Sequence, residues 1–138
     1  MKSSTHIIGG VLAALVLAKV LDIPPIQLIP AAIITSTLPD VDQKVKILRH
    51  RGQTHSLAFV AVFILVWCKI SRNEIVGLII GIASHLALDM LNGKGIELLW
   101  PMNSKNYRIM DLKYNGVVEN ILIGMMVVGI IWIGGKLI

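Results

Sequence analysis

The sequence is poor in charged residues and nearly free of cysteine. Charged residues make up 15% of its 138 residues, whereas hydrophobic residues make up 55%. A soluble domain averages about 25% charged residues, so this chain lacks the polar side chains that would cover a water-exposed surface. Cys68 is the single cysteine, which excludes an intramolecular disulfide and a thiolate metal cluster. The composition predicts an integral membrane protein, and the length suits a single domain over residues 1–138.

Acidic and aromatic residues are also scarce. The chain has eight Asp and Glu against thirteen Lys and Arg, and its formal net charge is +5. This excess suits contact with anionic headgroups on the cytoplasmic leaflet, so membrane lipids are the expected partners. Aromatic residues make up only 5%, and no basic stripe interleaved with aromatic side chains is visible. Nucleic-acid binding is therefore not expected.

Long apolar runs are what the chain does contain. They divide it into five segments, at residues 5–21, 26–38, 54–70, 74–91 and 117–133. A membrane-spanning helix needs about 20 mostly apolar residues, so the predicted fold class is all-α, a bundle of about five transmembrane helices. The second segment is short and contains Pro30, which favours a helix that is kinked, tilted or packed against its neighbours. Lys2 before an apolar run also fits a cleaved signal peptide, but His6 and the Gly9-Gly10 pair favour a permanent helix.

Five crossings would bring three polar regions to one side of the membrane: the residues before the first helix and the loops after the second and fourth. Most of the basic residues belong to these regions. The positive-inside bias therefore makes this side cytoplasmic. Gly77 and Gly81, four residues apart, allow close helix packing, and the sequence leaves open whether that packing lies within the chain or between chains.

The ionisable residues in and beside the apolar segments fall at this same membrane face. They are His6, Asp40, Asp42, His50, His55, His85, Asp89 and Glu119. His85 and Asp89 are four residues apart on a predicted helix, so both project from one face. Ionisable residues in membrane segments are functional candidates, and mixed His and Asp ligands without Cys suit Zn²⁺, with Mn²⁺ or Fe²⁺ as alternatives. The set predicts a metal site.

Each of these residues also has a purely structural interpretation. His85 can hydrogen-bond across helices, and Asp89 can reach water at the end of its helix. Asp40 can serve as a turn residue after Pro39, and Arg51 as a positive-inside anchor. The structural interpretation is the more probable one for any single residue, but the shared membrane face favours metal binding for the set as a whole.

Five short motifs resemble a known family. They are Thr5-His6, LPDVD at 38–42, HRGQTHS at 50–56, SHLALD at 84–89 and GIELLWP at 95–101. They resemble the bacterial inner-membrane-associated, metal-dependent hydrolase family, whose founding member is described as a LexA-binding membrane protein. The order of His and Asp is also similar to a reduced form of the zinc-dependent phospholipase C and P1-nuclease pattern. That similarity implies metal ligation by His6, Asp40, His55, His85 and Asp89. Gln43 stands where the family often has His.

The resemblance implies a multi-pass protein of the bacterial inner membrane that hydrolyses a phosphate ester in a lipid or lipid-linked substrate at the cytoplasmic face. We expect Asp42 or Glu119 to act as a further ligand or general base, and His50 to protonate the leaving group. Arg51 is expected to hold an anionic phosphate bidentately. Thr54 and Ser56 would support the ligands or cap the third helix.

Two non-enzymatic alternatives remain open. In one, the metal is structural and the protein is a membrane regulator or scaffold with a protein partner, such as the LexA association that the family description implies. In the other, the protein carries metal or other ions across the membrane. The second is disfavoured because a carrier needs a site near the membrane midplane, and here the polar residues lie at one face.

Overall fold

The computed structural model describes residues 1–43, 51–67, 69, 72–113 and 116–137. Over these residues the protein is helical, with isolated β-bridges but no strand. The α-helices in this part of the chain are α1 (Ser3–Leu21), α2 (Ile29–Thr35), α3 (Leu57–Trp67), α4 (Arg72–Met90) and α5 (Gly116–Gly134). The predicted all-α fold class is confirmed.

Three of the described helices, α1, α4 and α5, are long and apolar enough to cross a membrane. Each has 19 residues, which corresponds to about 28 Å at 1.5 Å per residue and matches a hydrocarbon core of about 30 Å. α2 has seven residues and α3 has eleven, so they extend only about 10 and 16 Å. The predicted membrane bundle is confirmed, but two of its five helices are too short to cross the membrane alone.

Prolines explain why α2 is short. Pro30 lies in the first turn of the helix, where its missing N–H removes no hydrogen bond. The sequence predicted a helix that is kinked, tilted or packed against its neighbours; the helix begins at Ile29, next to this proline, and packs closely against α1 and α4. After Thr35 the chain passes into a 3₁₀ turn, Leu38–Gln43, which contains Pro39. The α-helix between these prolines is therefore limited to two turns.

Two glycines let α2 lie very close to its neighbours. A Cβ atom on Gly10 of α1 would lie 2.8 Å from the Cβ of Ser36, at the end of α2. A Cβ on Gly81 of α4 would lie 2.5 Å from the carbonyl oxygen of Ala32. Larger residues at either position would force the helices apart. The close packing that the glycines allow is thus within the chain, and it brings the end of α2 against α4.

The functional residues lie at one end of the bundle, which we call the site end. There α1, α3 and α5 begin, while α2 and α4 end. The loop 91–113 joins α4 to α5 at this end and pairs with the residues that precede and begin α3. The Glu97 N–H donates to the Arg51 carbonyl at 3.0 Å, and the Leu57 N–H donates to the Leu98 carbonyl at 2.9 Å. The loop therefore packs against the segment that precedes α3.

Candidate metal centre

Four side chains converge at the site end, and we call them the His/Asp cluster: Asp40, His55, His85 and Asp89. Each offers one ligand atom, and these four atoms lie within 4.8 Å of one another. Asp40 belongs to the 3₁₀ turn after α2, and His55 to the turn before α3. His85 and Asp89 lie in the last two turns of α4. Three separate segments thus supply the cluster.

The donor atoms of the cluster surround a common point. The Nε2 atoms of His55 and His85 are 3.1 Å apart. The Oδ2 atom of Asp89 lies 3.3 Å from the first of these nitrogens and 3.6 Å from the second. Asp40 Oδ1 lies at 3.9 and 3.8 Å from the same two atoms. Donor atoms at Zn–N distances of 2.0–2.1 Å in a tetrahedral site are roughly 3.3 Å apart, so the cluster has the dimensions of a small metal site.

The outer nitrogen of His85 determines how its ring is protonated. Nδ1 lies 2.6 Å from the carbonyl oxygen of Ser36, at the end of α2. A carbonyl oxygen only accepts hydrogen bonds, so Nδ1 must carry the proton. In the neutral ring the Nε2 lone pair is then free and faces the cluster.

The ring of His55 is held in a similar way, by the Thr54 hydroxyl and a carboxylate behind it. Its Nδ1 lies 3.3 Å from Asp42 Oδ2. That oxygen accepts hydrogen bonds from the Arg51 N–H at 2.9 Å and from the Thr54 hydroxyl at 3.0 Å. The hydrogen-bond partner of Nδ1 is the Thr54 Oγ1 atom at 3.1 Å. Because the Thr54 hydroxyl donates its proton to Asp42, its oxygen accepts from Nδ1, and the Nε2 lone pair of His55 also points into the cluster. A carboxylate behind a histidine is the usual support of a metal-ligating imidazole.

The two inner nitrogens of the cluster therefore present lone pairs to each other across 3.1 Å. While both rings are neutral, neither nitrogen can donate to the other. A shared proton or a metal ion between them turns this repulsion into attraction. Two carboxylates beside the same point supply further anionic donors, which is the composition of a cation site. The residues present fit a divalent metal ion.

His6 lies against the cluster without belonging to it. Its ring stacks on His85 with the centroids 3.8 Å apart, and its Nε2 atom lies 3.7 Å from Asp89 Oδ1. The residue is only 1% exposed, and both ring nitrogens are buried without a hydrogen-bond partner. A buried polar group left unsatisfied costs about 1–3 kcal/mol, so a ligand or water in the adjacent space would relieve this cost.

Arg51 flanks the cluster through the same carboxylate oxygen. Its Nη2 atom is 3.4 Å from Asp89 Oδ1, while Nε and Nη1 are buried and have no hydrogen-bond partner. The backbone of Arg51 lies in the left-handed region, with φ at 64°. We call this pair of side chains the His6–Arg51 flank. It meets the cluster at Asp89, whose Oδ2 atom faces the cluster and whose Oδ1 atom faces the flank.

A family model described as "YdjM inner membrane protein" matches residues 1–137. The chain belongs to the YdjM inner membrane protein family. It is 32% identical over 131 residues to the inner membrane protein YdjM of Escherichia coli (strain K12), and this match covers 73% of the chain but only 66% of that relative's length. It is 30% identical over 118 residues to the uncharacterized protein YvsG of Bacillus subtilis (strain 168), covering 73% of the chain and 74% of that protein. No solved structure matches the chain.

Family membership confirms the predicted location of the protein. The name of the family, together with the three spanning-length helices among the described residues, makes this chain a multi-pass protein of the bacterial inner membrane. The name of the Escherichia coli relative gives a location, and neither relative's name gives a reaction. The inner-membrane part of the predicted resemblance is therefore confirmed, and the activity that it implied is taken up as a proposal below.

In this member of the YdjM family, the residues predicted as acid or base lie around the cluster or outside the described residues. Asp42 lies behind His55, with Oδ2 3.3 Å from His55 Nδ1, and accepts hydrogen bonds from the Arg51 N–H and the Thr54 hydroxyl, so it supports a ligand. Glu119 lies in the first turn of α5 and contacts the start of α1, where its Oε1 atom accepts from the Thr5 hydroxyl at 2.7 Å and the Lys2 N–H at 2.6 Å. It satisfies a backbone donor that a helix N-terminus leaves open. His50 lies outside the described residues. Their roles in proton transfer stay predictions.

Several contacts fall on residues that sequence reasoning treated lightly or missed. Gln43, noted only as a departure from the motif, donates from Nε2 to Asp40 Oδ1 at 2.6 Å and holds that carboxylate. Thr54 supports Asp42, in agreement with the expected supporting role, and Ser56 accepts from the Phe59 N–H at 3.2 Å near the start of α3. Ser36 was missed because it acts through its backbone carbonyl, which leaves no side-chain signal in a sequence.

Proposed function

We propose that this protein is a membrane-embedded, metal-dependent hydrolase whose metal ion is held by the His/Asp cluster. The supporting observation is the pair of Nε2 lone pairs 3.1 Å apart, each oriented by a hydrogen bond on the far side of its ring, to the Ser36 carbonyl for His85 and to the Thr54 hydroxyl oxygen for His55. Nitrogen and oxygen donors without cysteine favour zinc, with manganese or iron as alternatives. When bound, such an ion lowers the pKa of a coordinated water to about 7 and polarises the bond to be cleaved.

The cluster opens to its surroundings on the side of Asp40. The side chain of Asp40 is 15% exposed, whereas those of His55 and His85 are fully buried and that of Asp89 is 2% exposed. Gln43 holds Asp40 in place from the outside. Water and substrate therefore reach the cluster past Asp40, and the two histidines form its closed wall.

We propose a phosphate ester of a lipid or lipid-linked molecule as the substrate. Arg51 supports this choice because its buried Nε and Nη1 atoms have no protein partner and lie on a guanidinium that contacts the ligand Asp89. A guanidinium fork binds phosphate oxygens bidentately. The site end coincides with the ends of the spanning helices, and hence with headgroup depth. The excess of basic residues on this side favours the cytoplasmic face.

Proton transfer in this proposal is divided between positioning residues and a general acid. Asp42 keeps the His55 ring protonated on Nδ1 and so keeps its Nε2 lone pair directed at the cluster. Glu119 fixes the start of α1 and with it the position of His6. His50, next in sequence to Arg51, is the proposed donor of a proton to the leaving group.

Metal analysis of the purified protein tests the proposal. We expect the wild type to contain bound zinc, manganese or iron and to hydrolyse a phosphate ester presented in lipid vesicles. His85→Ala should lose both, whereas Ser84→Ala, one residue away on the same helix, should keep both. Wild-type protein that binds no transition metal would sink the proposal, because a shared proton would then be sufficient to explain the paired histidines.

A second candidate function is a regulator or scaffold whose metal is purely structural. It is favoured by the origin of the ligands, since an ion would link the turn after α2, the turn before α3 and the end of α4. α2 and α3 are too short to be held by the membrane alone, so such a link would stabilise them. Metal removal by a chelator separates the two functions. A scaffold unfolds without its ion and has no hydrolytic activity when loaded, whereas a hydrolase regains turnover when metal is restored.

A further inference from the structure

A large apolar groove separates α2 from α3 along one side of α4. Its volume is about 960 Å³, and its walls include Ile34, Leu38, Phe63, Trp67 and Leu78. We call it the α2–α3 groove. It exists because α3 packs loosely: none of its described residues is buried. Phe63 and Trp67 follow each other along α3 with ring centroids 6.0 Å apart and form an aromatic wall.

One end of the groove lies at the proposed metal site. Leu38 lines the groove and begins the 3₁₀ turn Leu38–Gln43, and Asp40 follows it two residues later in the same turn. Thr35, also in the wall, precedes Ser36, whose carbonyl accepts from His85. The Thr35 hydroxyl donates to the Leu78 carbonyl at 2.8 Å, so its proton is not free to bind a ligand in the groove.

The other end of the groove is polar. Asn73 and Gln27 both line it, and the Asn73 amide donates to the Gln27 side-chain oxygen at 2.5 Å. These residues lie at the start of α4 and before α2, on the side of the bundle opposite the site end. The groove is thus mainly apolar, with Leu38 at the site end and the Asn73–Gln27 hydrogen bond at the other end. Such a shape suits a hydrocarbon chain whose polar head lies at the site.

A second groove, of about 540 Å³, lies between α1, α4 and α5 and provides a comparison. Gly9 and Leu88 line it close to the site end. The cluster-side neighbours of those two residues, His6 and Asp89, have side chains only 1% and 2% exposed. The site end of the α2–α3 groove is instead lined by Leu38, two residues before Asp40, the cluster residue whose side chain is 15% exposed. Of these two grooves, the α2–α3 groove is thus the one whose lining is next in sequence to the exposed side of the cluster.

Charge at the site end indicates which amphiphile the groove takes. Arg51 places buried, unpartnered Nε and Nη1 atoms beside the cluster, and a metal ion would add further positive charge. Phosphate is the group that such donors bind best. We propose that the α2–α3 groove holds one acyl chain of an anionic phospholipid whose phosphate lies between Arg51 and the His/Asp cluster. The position of the phosphate rests on the proposed function; the position of the chain does not.

Two tryptophans allow a direct test in lipid vesicles. Trp67 lines the groove and is 45% exposed, whereas Trp132 is 63% exposed on α5 and lies outside it. Both lie on helices that run away from the site, Trp67 about 15 Å along α3 and Trp132 about 24 Å along α5, so each tryptophan is compared with itself between the two quenchers. Proteins that keep only one of them, with Phe at the other tryptophan positions, would be placed in phosphatidylcholine vesicles. The quencher is a small mole fraction of phosphatidic acid, or of phosphatidylcholine, brominated on the acyl chain.

We expect the concentration of brominated phosphatidic acid at Trp67 to exceed its mole fraction by about tenfold. One charge-assisted hydrogen bond between the protein and the phosphate headgroup is sufficient for a factor of this size. The protein that keeps Trp132 also carries Lys136→Gln, because the Lys136 Nζ lies 3.6 Å from the Trp132 ring centroid and would itself attract an anionic lipid. Trp132 should then be quenched equally by both lipids. Ile34→Phe should remove the excess quenching at Trp67 by filling the groove, and the 66% exposure of Ile34 makes this change compatible with folding. Val16→Phe, in the second groove and 43% exposed, should leave it unchanged.

The outcomes separate the groove from the hydrolase. Equal quenching of Trp67 by the two lipids overturns the proposal, even if the wild type binds metal and hydrolyses phosphate esters. Excess quenching that survives Ile34→Phe also overturns it, because the chain then lies elsewhere. Excess quenching that Ile34→Phe removes supports the groove, and it does so even if no metal is found and the proposed hydrolase fails.

Discussion

The His/Asp cluster and the His6–Arg51 flank share one carboxylate but differ in how their polar atoms are satisfied. In the cluster, the outer nitrogens of both histidines hydrogen-bond to protein acceptors, the Ser36 carbonyl and the Thr54 hydroxyl oxygen, and the Thr54 hydroxyl in turn donates to the Asp42 carboxylate. In the flank, both nitrogens of His6 and two nitrogens of Arg51 are buried without a partner. Hydrogen bonds on the outer side thus orient the histidine rings of the cluster, whereas polar atoms of the flank have no hydrogen-bond partner.

This difference indicates two kinds of ligand. The cluster presents lone pairs and carboxylates, which attract a cation, and its supports hold it ready before the cation arrives. The flank presents N–H donors on Arg51, which attract an anion. Asp89 joins the two because each of its oxygens faces one side. A cation and an anionic group bound side by side are what metal-assisted hydrolysis of a phosphate ester requires.

The largest effect is expected from removing the carboxylate that both sides share. Asp89→Ala should abolish metal binding and leave the Arg51 charge buried without its partner, at a cost of about 3–5 kcal/mol in unfolding free energy. Metal analysis and chemical denaturation measure the two effects. Asp111→Ala is the control, since this carboxylate is 65% exposed in the loop 91–113. Retention of metal by the Asp89 variant contradicts the proposed ligand set.

A smaller effect should follow from removing the support behind His55. Asp42→Ala leaves all four cluster residues in place but removes the carboxylate that fixes the Thr54 hydroxyl as an acceptor for His55 Nδ1. The affinity for metal should fall by about 10–100-fold, as is typical for such supporting groups. Competition with a chelator of known affinity measures this change. An unchanged affinity for metal would mean that Asp42 does not orient His55, and that supporting residues do not hold the ligands in place before the metal binds.

Arg51 in the His6–Arg51 flank can be substituted while all four residues of the His/Asp cluster are kept. Arg51→Lys keeps the charge but loses the planar fork, so the affinity of the metal-loaded protein for inorganic phosphate should fall by about tenfold. The metal content should stay at the wild-type level. Arg108→Lys is the matched control, because Arg108 is 55% exposed and pairs with Asp111 at 3.7 Å. If the Arg51 variant loses metal and keeps phosphate binding, the roles assigned to the two sides are wrong.

The smallest effect should come from Glu119, which acts at a distance from the cluster. Glu119→Gln should lower the unfolding free energy by about 1 kcal/mol, because it weakens charge-assisted hydrogen bonds at the start of α1. Metal content should be unchanged. A double-mutant cycle with Thr5→Val measures the coupling between the two side chains, which the 2.7 Å hydrogen bond predicts to be favourable. A large loss of metal in the Glu119 variant would instead favour its predicted role as a ligand.

Part of the site was predictable because it follows from local geometry. His85 and Asp89 are four residues apart on a helix, so their shared face is independent of the rest of the fold. Asp40 and His55 were predicted to lie at the same membrane face because each borders an apolar segment, and both do join the cluster. The pattern could not give the distances between residues that share a face, so it did not show that the Glu119 side chain, from the first turn of α5, hydrogen-bonds to Thr5 in α1; its predicted role as a ligand or base stays a prediction.

The sequence alone determined that this protein lies in a membrane and that its secondary structure is helical. Its apolar runs require a membrane, and in a membrane an unpaired backbone requires helices. Tertiary structure decided the rest: that Pro30 begins α2, that glycines bring the end of α2 against α4, and that the Ser36 carbonyl reaches His85. The physical reason is that composition and periodicity describe a single segment of the chain. Which nitrogen of a histidine ring carries the proton depends instead on an acceptor atom from a different segment, such as the Ser36 carbonyl oxygen. The facing lone pairs, on which the proposed function depends, exist only in the folded chain.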